Sequence, residues 1–385
     1  MIVAGEPSGD QLAAELVAAL RRASGNRSIR FIGAGGEKMA AAGVELLVDL
    51  TRHSVIGIPS FREVRRFQAL RDSLVALARS ETPDVFIGVD FFGFNGSLAR
   101  HIRDAASQGP FRNWKPKLVQ YVSPQVWASR PGRAQRIAST HDLLLSILPF
   151  EKEWYAKRTP ALRVEFVGHP LVDRHQPAAV NPSPVSSPST KSPELLLLPG
   201  SRMGEIVRHV PVMVESARRL HASYGVHCRM VLPSESLASV VRPMLGTEAP
   251  ILVQLGGLSQ ALLESTAALA CTGTVTLECA WFGVPTVTLY KTNWLTYTIG
   301  KRIVTVPYLS MPNLLAGGAV MPEFVQDTAT PEALSAALVP FLTDPAARSR
   351  AKEQLAQVRN QLGTPGASHR AAAAILSLLP AIANR

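Results

Sequence analysis

Two clusters in each half of this chain have the residue types and spacing to do chemistry. Asp90 closes the apolar run Val85-Phe86-Ile87-Gly88-Val89. The carboxyl ends of parallel strands are where α/β folds gather ligands, so a carboxylate there can take a proton from a substrate hydroxyl. The alternative is an acid that caps the next helix. Gly5-Glu6-Pro7-Ser8-Gly9-Asp10 follows the first apolar run. Its glycines and serine permit a tight turn that aims backbone N–H groups and a helix N-terminus at an anion or sugar. The plain alternative is a strand-to-helix turn with Ser8 or Asp10 as its N-cap.

In the second half, Leu197-Leu198-Pro199-Gly200-Ser201-Arg202 leads into a helix that begins near Glu205-Ile206. Gly200 and Ser201 allow close backbone approach, and Arg202 brings a planar donor fork suited to a diphosphate; an unliganded surface arginine is the alternative. Thr272-Gly273-Thr274-Val275-Thr276-Leu277-Glu278 repeats the pattern, with Glu278 placed to accept both hydroxyls of a ribose or, alternatively, to offset a helix dipole. Gly33-Ala34-Gly35-Gly36 reads as a Gly-rich turn, because the third glycine of a dinucleotide fingerprint is missing. His169 stands alone in Val167-Gly168-His169-Pro170, no DxD occurs, and Cys228, Cys271 and Cys279 lack metal or disulfide spacing. No metal site is expected, and a reducing compartment fits best.

These residues need strands that end together. Short apolar runs at 1–4, 29–32, 84–89, 117–122 and 143–147 alternate with helical segments such as 10–22 and 64–80. A second alternation holds strands at 195–198, 228–232, 269–271 and 286–290 and a helix at 206–224. Between them, Asn181-Pro182-Ser183-Pro184-Val185-Ser186-Ser187-Pro188 continues as a Pro- and Ser-rich stretch that cannot form a core. The expected organisation is an N-terminal domain over 1–180, a linker at 181–193, a C-terminal domain over 194–345, and helices in 346–385 that pack back on the N-terminal domain. The fold class is α/β, with two Rossmann-like doubly wound domains.

The 385 residues carry 40 Lys and Arg against 29 Asp and Glu, a net charge of +11, with 46% hydrophobic residues. Such a composition excludes global disorder and points to anionic partners: nucleic acid, a membrane surface or phosphorylated small molecules. Ile58, Phe61, Arg62, Arg65, Arg66 and Phe67 lie in a basic amphipathic stretch that fits an interfacial helix on anionic lipid, or else a core-packed helix with a solvated arginine face. No basic, long apolar leader opens the sequence. The charge-free run 303–322 is broken by Pro307 and Pro312, which argues against a membrane span.

In this order the motifs resemble the lipid-A-disaccharide synthases, glycosyltransferases of the two-Rossmann GT-B architecture. The resemblance rests on Gly5-Glu6 with Ser8-Gly9-Asp10, Val55-Ile56-Gly57, Tyr121-Val122-Ser123-Pro124-Gln125-Val126-Trp127-Ala128, Leu148-Pro149-Phe150-Glu151 and Val167-Gly168-His169-Pro170. It continues through the Pro199–Ile206 motif, Gly273-Thr274 with Leu277-Glu278, and Pro312-Asn313-Leu314-Leu315-Ala316. It implies two domains facing a central cleft and an inverting transfer that joins UDP-2,3-diacylglucosamine to 2,3-diacylglucosamine 1-phosphate (lipid X), giving a β(1→6) disaccharide 1-phosphate and UDP. It also implies a peripheral location on the cytoplasmic face of the inner membrane, a homodimer and no nucleic-acid partner. Arg202 and Asn313 would hold the diphosphate, with Gly200, Ser201, Gly273 and Thr274 near it and Glu278 at the ribose. Glu6, Ser8 and Gly9 would face the acceptor. Inversion requires a base and fixed positive charge but no cofactor, and Asp90 is the candidate base. The family commonly has a second acid three residues on, where this chain has Gly93; a catalytically weakened nucleotide-sugar- or lipid-binding homologue is therefore the alternative. An NAD-dependent oxidoreductase would need the complete fingerprint.

Overall fold

Apolar residues alternate in direction along the short strands, and helices cover both sides of what those strands form. The structure, a computed structural model, describes residues 1–50, 61–175, 192–246 and 249–380, apart from the side chains of residues 61, 63, 295 and 299. The chain divides into two compact units, Met1–Gln176 with Leu362–Arg385, and Pro177–Gln361.

The first unit runs β1 (Ile2–Ala4), α1 (Pro7–Ala23), β2 (Ile32–Gly35), α2 (Glu37–Ala41), β3 (Glu45–Asp49), α3 (Phe61–Glu81), β4 (Val85–Val89) and α4 (Phe92–Ala106). It continues with β5 (Lys117–Tyr121), α5 (Val126–Ser129), α6 (Arg133–Thr140), β6 (Leu143–Ser146), α7 (Glu151–Ala156), β7 (Arg163–Phe166) and α8 (Leu171–Arg174). All its strand pairs are parallel, in the order β3-β2-β1-β4-β5-β6-β7. The period of two sorts the core: Ile2, Ala4, Ile87 and Val89 face α1, while Val3 and Phe86 face α3 and α4. The glycine-rich 33–36 stretch, expected as a turn after a strand at 29–32, instead supplies most of β2. A side chain at Gly33 would run into the Ile2 carbonyl, so close backbone approach, rather than turning, is what the glycine permits there.

The second unit runs β8 (Glu194–Leu198), α9 (Met203–Tyr224), β9 (His227–Leu232), α10 (Glu235–Leu245), β10 (Ile251–Leu255), α11 (Leu258–Glu264), β11 (Ala267–Cys271) and α12 (Thr274–Trp281). Then come β12 (Thr286–Tyr290), α13 (Trp294–Ile303), α14 (Met311–Ala316), β13 (Glu323–Val325), α15 (Pro331–Thr343) and α16 (Pro345–Gln361). The sheet order β10-β9-β8-β11-β12-β13 is again all parallel and doubly wound. β8 and β11 read as continuous apolar runs because both faces of a parallel sheet are covered.

The final helix, α17 (Ala367–Leu376), lies along α1 and buries Ala371, Ala372 and Ile375 in the first unit's core. Burial of Ile375 alone contributes about 1.5–3 kcal/mol. α16, by contrast, packs on α12, α14 and α15 within the second unit, so the expectation that all of 346–385 returns to the N-terminal domain holds only for its last part. The expected linker at 181–193 falls mainly outside the described residues. Among the described residues no helix is long and apolar enough to cross a membrane.

Candidate active site

In each sheet the strand order reverses between two neighbouring strands, and there the loops at the carboxyl ends splay apart into a binding crevice. In the first unit those neighbours are β1 and β4. The β1–α1 turn brings Gly5 so close to Phe91 that any side chain at position 5 would enter the aromatic ring. Gly9, in the first turn of α1, lies against the end of β4: a Cβ on it would sit 3.4 Å from the Val89 carbonyl oxygen and 3.7 Å from the Asp90 Cβ. Glu6 is half-buried and precedes α1 with extended backbone, and Ser8 is exposed. The Gly5–Asp10 turn and Asp90 are therefore side by side.

Asp10 does not cap its own helix. Its buried carboxylate accepts from the backbone N–H groups of Gly36 at 2.7 Å, Lys38 at 3.0 Å and Met39 at 3.2 Å, and so caps α2 from across the sheet edge.

Backbone strain concentrates at Asp90. Of the five non-glycine residues with positive φ among those described, Asp90 (50°), Phe91 (42°) and Val122 (69°) share the carboxyl edge of β4 and β5. Each costs about 1–3 kcal/mol and needs surroundings that enforce it. Two fully buried amides do so. Asn95 Nδ2 donates to the carbonyls of Asp90 at 3.0 Å and Val3 at 3.2 Å, and Gln120 Nε2 donates to those of Asp90 at 3.0 Å and Val122 at 3.3 Å. Burial raises the Asp90 carboxyl above its ordinary value, with a backbone N–H at Phe91 partly opposing the shift. That is the direction a general base working near neutral pH requires. Gly93 is exposed in the first turn of α4, where a Cβ would meet no neighbour within 4 Å.

The Tyr121–Ala128 and Leu148–Glu151 motifs converge on a buried acid. Glu151 accepts from Trp127 Nε1 at 2.9 Å and pairs with Ser146 Oγ at 2.6 Å, and Phe150 packs edge-on against Trp127. Desolvation pushes the Glu151 carboxyl up to about 7, against the pull of its hydrogen bonds to Ser146 and Trp127. His169 has a structural place. Its backbone N–H donates to the Leu362 carbonyl at 2.8 Å, its Nδ1 accepts from the Leu171 N–H, and burial lowers its pKa to about 4.

In the second unit the switch falls between β8 and β11, whose ends are in register with Leu198 opposite Ala270. The Gly200–Arg202 loop leaves β8, and the exposed Gly273 and Thr274 open α12 after β11, so both expected diphosphate elements emerge at one edge. Glu205 organises the first loop: its Oε2 accepts from the Ser201 and Arg202 N–H groups at 3.1 and 3.3 Å, and its Oε1 stands 3.6 Å from Arg202 NH1. Gly200 has φ 117°, and a side chain there would collide with that carboxylate. Arg202 keeps an exposed guanidinium. Glu278 is half-buried one turn beyond Thr274.

Behind the loop, fully buried His209 joins two strand ends. Its Nε2 accepts from the Lys291 N–H at 3.0 Å, which leaves Nδ1–H to donate to the Pro199 carbonyl at 2.8 Å, a tautomer assigned from the network. Burial lowers its pKa, in keeping with a neutral ring.

Two expectations are corrected. Asn313 does not offer its amide to a diphosphate: it is fully buried, Nδ2 donates to the Met321 carbonyl and to Glu323 Oε1, each at 2.7 Å, and Oδ1 accepts from the Met321 N–H. With both amide hydrogens committed, it closes the loop before β13. Phe67 does not belong to an outward apolar face either. It packs against Phe91 and Phe94 at 6.1 and 5.8 Å, and Leu70 and Leu74 join the same core. Arg62, Arg65 and Arg66 are exposed; Ile58 and the Phe61 side chain lie outside the described residues. Asn95, Gln120, Glu151 and His209 were not picked out from spacing. Only Glu151 carried a signal, its place in the Leu148–Glu151 motif. No group of three or more His, Cys, Asp or Glu among the described residues is placed to hold a metal ion.

Two all-parallel doubly wound units with loops gathered at their switch points define the GT-B-like architecture, which solved glycosyltransferases and sugar-nucleotide epimerases share. The UDP-N-acetylglucosamine 2-epimerase of Neisseria meningitidis, solved with UDP-GlcNAc, matches with a TM-score of 0.63 at 12% identity over 98% of both chains. CalG4, the calicheamicin glycosyltransferase, matches with a TM-score of 0.59 at 15% identity over 99% of this chain and 97% of its own. Likeness at such identity speaks for the fold. Residues 1–377 match the family model described as lipid-A-disaccharide synthetase. The lipid-A-disaccharide synthase of Geobacter sulfurreducens is 36% identical over 388 aligned positions, covering 98% of this chain and 97% of that protein. That of Myxococcus xanthus is 37% identical over 392, covering 99% and 97%. The chain belongs to the lipid-A-disaccharide synthase family and is a glycosyltransferase of lipid A biosynthesis.

Proposed function

We propose that the chain transfers the diacylglucosaminyl group of UDP-2,3-diacylglucosamine to the 6-hydroxyl of 2,3-diacylglucosamine 1-phosphate, with inversion. Asp90 takes the hydroxyl proton as the acceptor oxygen bonds to the anomeric carbon, and the bond from that carbon to the UDP oxygen breaks with its electron pair leaving on UDP. Arg202 and the N–H groups at Gly273 and Thr274 receive the negative charge developing on the departing diphosphate. Glu278 accepts from the ribose hydroxyls, and Glu6, Ser8 and Gly9 border the acceptor. The scheme is complete without a metal or cofactor, because a base and fixed positive charge suffice. The observation that carries it is Asp90 itself, a half-buried carboxylate held in a left-handed conformation beside the Gly5–Asp10 turn, with its affinity for protons raised by burial.

Both sugars carry acyl chains, so the protein would work at the cytoplasmic face of the inner membrane, with Arg62, Arg65 and Arg66 toward anionic lipid; a homodimer completes the reading. Substitution of Asp90 by Asn keeps shape and removes the base. Turnover should fall by about 10²–10⁴-fold while UDP affinity by calorimetry stays within about 2-fold. Full activity in D90N would reject Asp90 as the base. A folded wild type that binds UDP and turns nothing over would favour the weakened homologue.

A further inference from the structure

Glu151 is fully buried, and among the described residues no cation pairs with it. The hydrogen bonds around it bear on its protonation. Ser146 Oγ lies 2.6 Å from Glu151 Oε2 and 2.7 Å from the Leu148 carbonyl oxygen, two acceptors if the carboxyl is ionised, and a hydroxyl has one proton to give. The geometry closes when Glu151 carries the proton: Oε2–H donates to Ser146 Oγ, Ser146 donates to Leu148, and Oε1 remains to accept from Trp127 Nε1–H at 2.9 Å. Ser146 Oγ also accepts from the Leu148 N–H at 3.3 Å, and Ser123 is a further partner of the carboxyl.

Trp127 in α5 ends the segment that leaves β5 through Val122, and Val122 is tied to Asp90 because both carbonyls accept from Gln120 Nε2. Tyr155, one turn along α7, braces the same segment through its hydroxyl, 3.4 Å from the Pro124 carbonyl. We propose that Glu151 is a positioning residue that acts as a neutral, proton-donating acid, holding residues 122–129 in the arrangement that Asp90 requires. This rests on the assignment of Asp90 as base. Ionisation would set the carboxylate and the Leu148 carbonyl in competition for the one Ser146 proton, leaving that carbonyl only the long 3.3 Å bond from the Glu151 N–H, and so loosen the hold on the segment. Burial that holds the Glu151 carboxyl near 7 supports the assignment, and Tyr155 is the titratable neighbour that senses its charge.

Glutamine reproduces the neutral acid, since its NH₂ donates to Ser146 and its carbonyl accepts from Trp127. Initial rates of the wild type, E151Q and E151A should be compared from about pH 6 to about pH 9. E151Q is expected to keep kcat within about 3-fold and to lose a decline that the wild type shows above about pH 7, whereas E151A loses about 10-fold or more in kcat with the donor KM unchanged within about 2-fold. If E151Q fails as badly as E151A, or declines with pH as the wild type does, the neutral acid is wrong. A second reading does not depend on turnover: the Trp127 indole N–H resonance, assigned by W127F, should titrate near pH 7 in the wild type and stay still in E151Q. An inactive wild type whose indole signal titrates this way would overturn the proposed reaction and leave the neutral acid standing. A signal that ignores pH in both proteins would overturn the neutral acid.

Discussion

Asp90 and Glu151 are carboxyls pushed in the same direction by burial, for different ends. Asp90 is half-buried at the strand edge, where a proton can come and go; Glu151 is sealed among Trp127, Ser146 and Leu148. The second has a consequence for stability. Above the ordinary value of 4.5 the unfolded chain gives up a proton that the folded chain keeps until about 7. The native state therefore binds more protons in that window, and stability falls as pH rises through it. The loss approaches about 3 kcal/mol. His141 and His169, lowered to about 4 by burial, push the other way, because the unfolded chain binds their protons first and stability rises with pH up to about 6.5. The difference between E151Q and the wild type isolates the acid: urea unfolding should show E151Q gaining about 2–3 kcal/mol on the wild type between pH 4.5 and pH 8. Parallel curves would mean that Glu151 is ionised in the native protein. Spacing alone exposed Asp90, because a lone acid after five apolar residues stands out. The amides of Asn95 and Gln120 gave no such sign, since their value lies in carbonyls contributed by β1, β4 and β5, which are distant in the chain.

At the scale of elements, helix starts and strand ends explain why the motifs are where they are. The Gly200–Arg202 loop is shaped by Glu205, three residues into α9, and Gly200 exists to make room for that carboxylate. Asp10 performs the equivalent task at longer range, joining the first turn of α1 to the start of α2 through three N–H groups. Asp10→Ala leaves those donors unsatisfied, two of them fully buried, and should cost about 2–3 kcal/mol by urea denaturation with little change in far-UV circular dichroism. A loss below about 0.5 kcal/mol would show that the cap carries no weight. Most strands were legible because a buried parallel strand must be a short apolar run. β2 was not, because its glycines serve backbone approach and read locally as a turn. The apolar stripe of α3 was legible too, but its periodicity could not say whether core or lipid covers it; the ring contacts of Phe67 decide for the core.

For the whole molecule, the net charge of +11 now has addresses. Arg202 stands at the switch point of the second unit, Arg62, Arg65 and Arg66 are exposed on α3, and Arg71 pairs with Asp72 at 2.8 Å. The two sheets repeat one topology, and each gathers its candidate residues at one reversal, Asp90 in the first unit and the Gly200–Arg202 loop in the second. Family membership makes lipid A disaccharide synthesis the activity. The most direct measurement incubates purified protein with UDP-2,3-diacylglucosamine and 2,3-diacylglucosamine 1-phosphate in excess chelator, then follows both products by mass spectrometry and the new linkage by NMR. The expected products are equimolar UDP and a β(1→6) disaccharide 1-phosphate. Folded protein that binds UDP but forms no disaccharide, or forms it only when a divalent metal is restored, would contradict the proposed reaction.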